Sequence, residues 1–267
     1  MGKTILITGS TDGIGLETAK SLVSQGHRVL LHGRNPQKLE AAEKTLSALS
    51  GEDSVDSYVA DLSRLAEVEL LAQTVAAKHT TLDVLINNAG VFKTATPATP
   101  ESLDVRFVVN AIAPYLLTQR LIPLIQAAGR VVNVSSAAQS PVNLDALAGR
   151  VQIAEDFSAY AQSKLALTMW SRSLALSLQG HGPVIIAVNP GSMLGSKMVK
   201  EAFGVAGSDI QIGAGILVRA ALTDEFAAAS GQYFDNDSGQ FASPHPDALD
   251  PQKCEALVGV IESVTSP

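Results

Sequence analysis

The sequence predicts an α/β fold: one domain on a doubly wound parallel sheet of about seven strands, with helices on both faces. Three observations predict it. Short apolar runs of strand length alternate with longer segments of helical period. Most of the runs are continuous rather than alternating in polarity, as strands covered on both faces are. The first run feeds a glycine-rich turn that opens a helix.

In chain order, the predicted strands are KTILIT (3–8), RVLLH (28–32), VDSYVA (55–60), LDVLIN (82–87), GRVVNVS (129–135) and VIIAVN (184–189). A seventh, short strand is predicted at GQYFD (231–235). Helical periods lie near 14–25, 36–49, 64–78, 101–126 and 158–179. Such alternation implies right-handed crossovers and one parallel sheet. No linker, repeat or low-complexity tract divides the chain, so residues 1–267 read as a single domain. The piece 191–230 interrupts the alternation and is expected to cover the sheet's carboxyl edge. The tail 240–267 ends in a short amphipathic pattern at 252–264.

The 267 residues, 46% of them hydrophobic, suffice for a sizeable core without a staple. A formal net charge of −7, with no run of Lys and Arg, argues against a nucleic-acid partner. Cys254 stands alone, which excludes an internal disulfide and a cysteine-rich zinc site. His27, His32, His79, His181 and His245 have no metal-ligand spacing, so no metal is expected. The N-terminal apolar run breaks at Thr8-Gly9, unlike a signal peptide. No apolar stretch is expected to reach the roughly 20 residues of a membrane span. The expectation is a cytoplasmic chain without a membrane span, either a monomer or a homo-oligomer.

The first strand runs into TGSTDGIG, with glycines at 9, 13 and 15. Gly9 permits a tight turn, Gly13 lets backbone approach a phosphate, and Gly15 allows close helix–strand packing. The helix that follows offers unpaired N–H groups and a positive dipole end to a pyrophosphate. Ser10, Thr11, Asp12 and Ile14 complete this candidate cofactor contact. The alternative is a plain glycine-rich connection; its place after the first strand favours the phosphate reading. The fourth strand ends in Asn87-Asn88-Ala89-Gly90, where two amides have the reach to tie neighbouring strands and touch a cofactor. Asp61, followed by Leu62, either caps the next helix or accepts from an adenine amino group.

Tyr160 and Lys164 stand at i and i+4 and share one helix face. An isolated pair of this kind is usually a lysine snorkelling over a packed tyrosine. Chemistry supplies the other reading. A free tyrosine titrates near ~10, too high for a base at neutral pH. An ammonium about 4 Å away, at an effective dielectric near 20, contributes roughly 4 kcal/mol, or about three pKa units before desolvation pushes back. Tyr160 is therefore expected to approach neutral pH. Asn110 lies four residues before Pro114 in a helical pattern. Its carbonyl is denied the N–H of residue 114, so the helix should kink there and leave the carbonyl free for a water.

TGSTDGIG, NNAG, Ser136, YAQSK and Pro190-Gly191 occur in the order of the short-chain dehydrogenase/reductase family, which the chain resembles over nearly its whole length. The resemblance looks closest to the retinol-dehydrogenase-like branch, through the tail SGQYFDNDSGQFASP and the wide spacing of Ser136 and Tyr160. It implies a Rossmann-type sheet. It also implies Tyr160 as proton donor or acceptor and Lys164 as the group that lowers its pKa and holds the nicotinamide ribose. Ser136 would hydrogen-bond the reacting oxygen, and Asn110 would complete a proton relay. Pro190 and Gly191, with Asn88, Ala89 and Gly90, join the implied cofactor contacts. Retention of all four catalytic residues argues against a nucleotide-sensing protein on the same fold.

The family usually places a threonine four positions after the glycine of Pro-Gly; here that position is Gly195, followed by Ser196. A substrate lid is expected around 191–210 and an inserted flap around 137–157. Met193, Leu194, Met198, Val199 and Phe203, with Val91 and Phe92, suggest an apolar pocket. The second strand ends in LLHGRN without the acid that holds an NAD ribose 2′-hydroxyl. Gly33 makes room, and Arg34, beside Asn35, offers a planar fork suited to a 2′-phosphate. NADP is therefore expected in preference to NAD, with a small-molecule carbonyl or alcohol as substrate.

Overall fold

The computed structural model describes residues 2–50, 54–178 and 180–266. It opens with β1 (Thr4–Ile7), α1 (Gly13–Ser24), β2 (Arg28–Gly33), α2 (Pro36–Ser50), β3 (Val55–Val59), α3 (Leu65–Lys78) and β4 (Leu82–Asn87). A helical run follows in three pieces: α4 (Val105–Phe107), a π-helical turn (Val108–Ile112) and α5 (Ala113–Leu121). Then come β5 (Ile125–Val134), α6 (Leu144–Leu147), α7 (Asp156–Ser177), β6 (Val184–Asn189), α8 (Lys197–Phe203), α9 (Ile210–Leu222), β7 (Tyr233–Asp235), β8 (Gln240–Ala242) and α10 (Pro251–Thr265). The predicted helix 158–179 reaches Gln179, which lies outside the described residues.

The strands form one sheet in the order β3-β2-β1-β4-β5-β6-β7-β8, parallel up to β7. Strand order reverses between β1 and β4, so a crevice opens at their carboxyl ends. Continuous apolar runs serve both faces. Ile5, Ile7, Val29 and Leu31 pack under α1, α2 and α9, while Leu6 and Leu30 pack under α3 and α5. A third cluster joins α4, α6, α7 and α10 around the buried Trp170.

The expected sheet is present with one further strand, and three other expectations are corrected. The sheet has eight strands, because the tail folds β8 back antiparallel on β7, with Gly239 at φ +71° in the turn. Three residues are too short a run for a periodicity signal. The helix expected at 101–126 spans Val105–Leu121, and a 3₁₀ turn with Pro123 hands over to β5 at Ile125. Only the first part of 191–230 lies at the carboxyl edge; from Ile210 onward α9 packs on α1 and restores the alternation. Finally, Val105–Leu124 is long and apolar enough to cross a membrane by length and composition, although 72% of its most apolar window is buried within the fold.

Candidate active site

Hydrogen bonds fasten the glycine turn from three sides. Asn88 Nδ2 donates to the carbonyls of Thr8 and Gly9 at 2.9 and 3.0 Å, while the Asn88 and Ala89 N–H groups donate to Thr8 Oγ1. Asn87 turns the other way: its Nδ2 donates to Asn133 Oδ1 on β5 and to Thr118 Oγ1 on α5. The two adjacent amides thus tie β4 to both neighbouring strands. Gly9 and Gly13 have φ of +65° and +58°. A Cβ on Gly9 would come 2.9 Å from Ala89 Cα, and one on Gly15 would lie 2.4 Å from both Asn88 Nδ2 and the Gly9 carbonyl. Beside Gly13 the space is open. The turn thus leaves room where a pyrophosphate would lie and none where it packs on β4, so these residues fit a dinucleotide.

Asp12 caps α1 by accepting from the Gly13 N–H at 2.8 Å, and its other oxygen lies 3.7 Å from Lys38 Nζ. Thr11 fills the space left by Gly33, whose Cβ would meet Thr11 Cγ2 at 2.5 Å. Arg34 is exposed and makes no hydrogen bond or ion pair among the described residues, while Asn35 accepts from the Lys38 N–H. Ser10 is fully buried and spends its hydroxyl on the backbone of His32. Asp61 accepts from the N–H and hydroxyl of Ser63, and the Leu62 side chain turns into the core, so Leu62 has only backbone to offer a ligand.

Asn110 sits in the π turn. The Ala113 N–H reaches back five residues to the Val108 carbonyl, and the α ladder breaks where Pro114 has no N–H to give. The Asn110 side chain clasps Val91: Oδ1 accepts from its N–H at 2.7 Å, and Nδ2 donates to its carbonyl at 2.9 Å. Nδ2 also donates to Ser163 Oγ on α7. Buried Lys164 donates to the Val134 carbonyl at 2.7 Å. A Cβ on Gly90 would lie 3.5 Å from Asn110 Oδ1 and 3.6 Å from Lys164 Nζ, so these two groups converge on Gly90. Ser136 is held by its carbonyl, which accepts from Gln139 Nε2 and the Tyr233 hydroxyl.

The electrostatics differ from the expectation. Lys164 Nζ lies over the Tyr160 ring, 5.7 Å from its centroid. Burial pushes the phenol above its ordinary value, and the Ser136 side chain pulls it partly back. Burial also pushes the Lys164 ammonium down to about 8. An ion taken from water loses solvation that one hydrogen bond to a carbonyl only partly replaces.

Two elements of different build border this group. In the flap, Asn143 caps α6, and Ala146 and Leu147 bury into the third cluster. The flap's end is locked by buried Arg106, which pairs with Asp104 and Asp156 and donates to the Ile153 carbonyl at 3.1 Å. Helix α8, in the segment expected as a lid, buries none of its residues. Its Phe203 meets Phe92 at 5.4 Å between ring centroids, and Phe92 also meets Tyr160 at 5.0 Å and Phe157 at 6.4 Å. A cavity of about 450 Å³ lies beside them, lined by Ala137, Ala138, Gln139, Ser140, Phe157, Ser158 and Ala161. Pro190 is buried, and the Gly191 N–H donates to Asn189 Oδ1. A Cβ on Gly195 would fall 2.9 Å from the Ser208 carbonyl, so this loop has no room for the family's threonine. Ser196 accepts from the Val199 N–H and caps α8.

Residues 3–204 match the family model described as short chain dehydrogenase, and the chain belongs to that family. Within it, the chain falls in the retinol-dehydrogenase-like branch. It is 33% identical to mouse retinol dehydrogenase 12 over 87% of this chain and 77% of that one. It is 29% identical to human retinol dehydrogenase 13, over 96% and 82%. Among solved structures, a protein of Mycobacterium paratuberculosis superposes with a TM-score of 0.82 at 28% identity, covering 98% of this chain and 93% of that one. A Burkholderia cenocepacia short-chain dehydrogenase in complex with NADP gives 0.70 at 26%, covering 90% and 98%.

Sequence reading passed over His32, Thr8, Asn133, Gln139 and Tyr233, all of which hold named site residues in place. Their signal lies in partners far along the chain, and only the register of the sheet brings those together.

Proposed function

We propose that the protein is an NADP-preferring oxidoreductase acting on a carbonyl, or the matching primary or secondary alcohol, of an apolar small molecule. One observation carries the reading: Ser136, Tyr160, Lys164 and Asn110 gather at the same sheet edge as a glycine turn shaped for a dinucleotide. A nicotinamide dinucleotide, when bound, supplies or accepts the hydride. The glycine turn 9–15, open at Gly13, would hold its pyrophosphate, Arg34 its adenosine end, and Asn88, Ala89, Gly90, Tyr160, Lys164, Pro190 and Gly191 its nicotinamide half. Tyr160 gives a proton to the substrate oxygen during reduction and takes it back during oxidation. Ser136 donates a hydrogen bond to the same oxygen and stabilises charge there. Lys164 lies over the Tyr160 ring, and its positive charge would favour the ionised phenol. The aromatic group of Phe92, Phe157 and Phe203 suits an apolar body, in keeping with the retinol in the relatives' names.

NADP preference is supported by the unpartnered Arg34 and by the lack of an acid at the end of β2. A charge-assisted hydrogen bond of about 1.5–3 kcal/mol corresponds to roughly a 10- to 150-fold preference. Titrating NADPH and NADH into wild type and Arg34→Ala tests this. The expected result is tighter NADPH binding that the mutation abolishes. Equal affinities in wild type would remove the assignment.

A further inference from the structure

We infer that His32 is a positioning residue of the cofactor site, clamping the glycine turn to the carboxyl ends of β2 and β3. The inference rests on the reading that the turn binds a dinucleotide. His32 is the penultimate residue of β2 and is 3% exposed. Its Nδ1 lies 3.1 Å from the Gly9 nitrogen, whose N–H donates to it. Nδ1 therefore carries no proton, and the proton resides on Nε2, which donates to the Ala60 carbonyl at 3.1 Å. Burial holds the imidazole down near 4, which keeps it in this neutral form.

The backbone of the same residue reinforces the clamp. The Ser10 N–H donates to the His32 carbonyl at 3.0 Å, and the His32 N–H donates to Ser10 Oγ at 3.0 Å. One residue on, Gly33 lets Thr11 pack where a side chain would stand. Three pieces of chain are thereby fixed to one another: the turn 9–11, the strand end carrying Arg34, and the Ala60-Asp61 loop. A ligand that contacts the turn through its pyrophosphate and Arg34 through a 2′-phosphate needs those two points at a constant spacing. The imidazole supplies that spacing from below, without touching the ligand. Gly9 has no freedom to replace the lost bond by moving toward β4, because Ala89 already stands against it.

Asparagine and glutamine separate the two halves of the clamp. An Asn carbonyl oxygen occupies the place of Nδ1, and a Gln amide nitrogen that of Nε2. The experiment measures NADPH and NADH dissociation constants, kcat at saturating cofactor, and hydrogen exchange of the Gly9 amide in wild type, His32→Leu, His32→Asn and His32→Gln. His32→Leu should weaken NADPH at least tenfold and narrow the NADPH-over-NADH preference, with kcat within about twofold and the Gly9 amide exchanging faster. His32→Asn should restore most of the affinity and the Gly9 protection, and His32→Gln less of both. Should His32→Leu not fold, the Asn and Gln variants carry the same comparison against wild type. Wild-type affinity in every variant, or an Asn variant no better than Gln, overturns the clamp. A wild-type protein that binds neither dinucleotide overturns the underlying reading and the clamp with it.

Discussion

On the β1–β2–β3 side of the crevice, hydrogen bonds from the sheet hold the base of the turn: Asn88 on Gly9, His32 on Gly9 and Ala60, Ser10 on His32. On the β6–β7 side, α8 buries no residue, and its ring contact with the body is Phe203 on Phe92. The first arrangement holds backbone to a fixed geometry and suits a ligand that never changes shape. The second opens at little cost, as elements with few buried contacts do, and suits a substrate that must enter and leave. Tyr160 stands on the seam, on a long buried helix but with its ring against Phe92.

The largest effect is expected at that seam. Tyr160→Phe keeps the ring contact and removes the hydroxyl, so kcat should fall about 10²–10⁴-fold with cofactor affinity unchanged. Steady-state kinetics with any good substrate decide this; a variant with wild-type kcat would end the role given to Tyr160.

The fixed side should also register in the pH dependence of stability. Burial lowers the His32 imidazole from 6.5 to about 4, with the Ala60 carbonyl and the Asp61 charge offsetting part of the shift. The unfolded chain therefore takes the proton first. The contribution is fully present above about pH 6.5 and is lost as pH falls toward 4, by roughly 3 kcal/mol. Urea denaturation at pH 7 and pH 4 should show His32→Asn losing less stability than wild type over this interval. An identical loss in both would place the acid sensitivity elsewhere.

The fixed side was the more legible half in the sequence, though incompletely. Glycines at 9, 13 and 15 announce themselves because a turn with positive φ and a close approach to β4 admit little else. Tyr160 and Lys164 were legible as a helical pair, but their electrostatics were not. The Coulomb attraction was weighed before desolvation, and burial instead raises the Tyr160 phenol. His32 was read as the absence of an acid and of metal-ligand spacing, since its two partners lie 23 and 28 residues away. The strand β8 and the break between lid and α9 were lost for the opposite reason: their segments are short and depend on what they pack against.

Within the fixed side, two glycines separate a close-packed position from an open one. Gly15→Ala places a Cβ 2.4 Å from the Gly9 carbonyl and should cost about 1–3 kcal/mol despite the better helix former. Gly215→Ala, exposed in α9 with nothing within 4 Å of its Cβ, should stabilise by about 0.5–1 kcal/mol. Urea midpoints of the two variants check both signs, and a neutral Gly15→Ala would mean that the turn yields more than its hydrogen bonds suggest.

The smallest effect falls on the lid. Phe203 is 46% exposed, so Phe203→Ala removes little buried surface and should leave unfolding within about 0.5 kcal/mol of wild type. Its ring stands on Phe92, which stands on Tyr160, so an apolar substrate reaching Tyr160 has these rings for walls. An aromatic pair contributes about 0.5–1.5 kcal/mol beyond burial, which predicts a rise in KM of roughly 2- to 13-fold for an apolar aldehyde. Cofactor affinity should not move, because no hydrogen bond of the turn passes through α8. Thermal melting, cofactor titration and KM on the same preparation give the three readings. A drop in melting temperature or in cofactor affinity would show that the lid is tied into the fixed side after all.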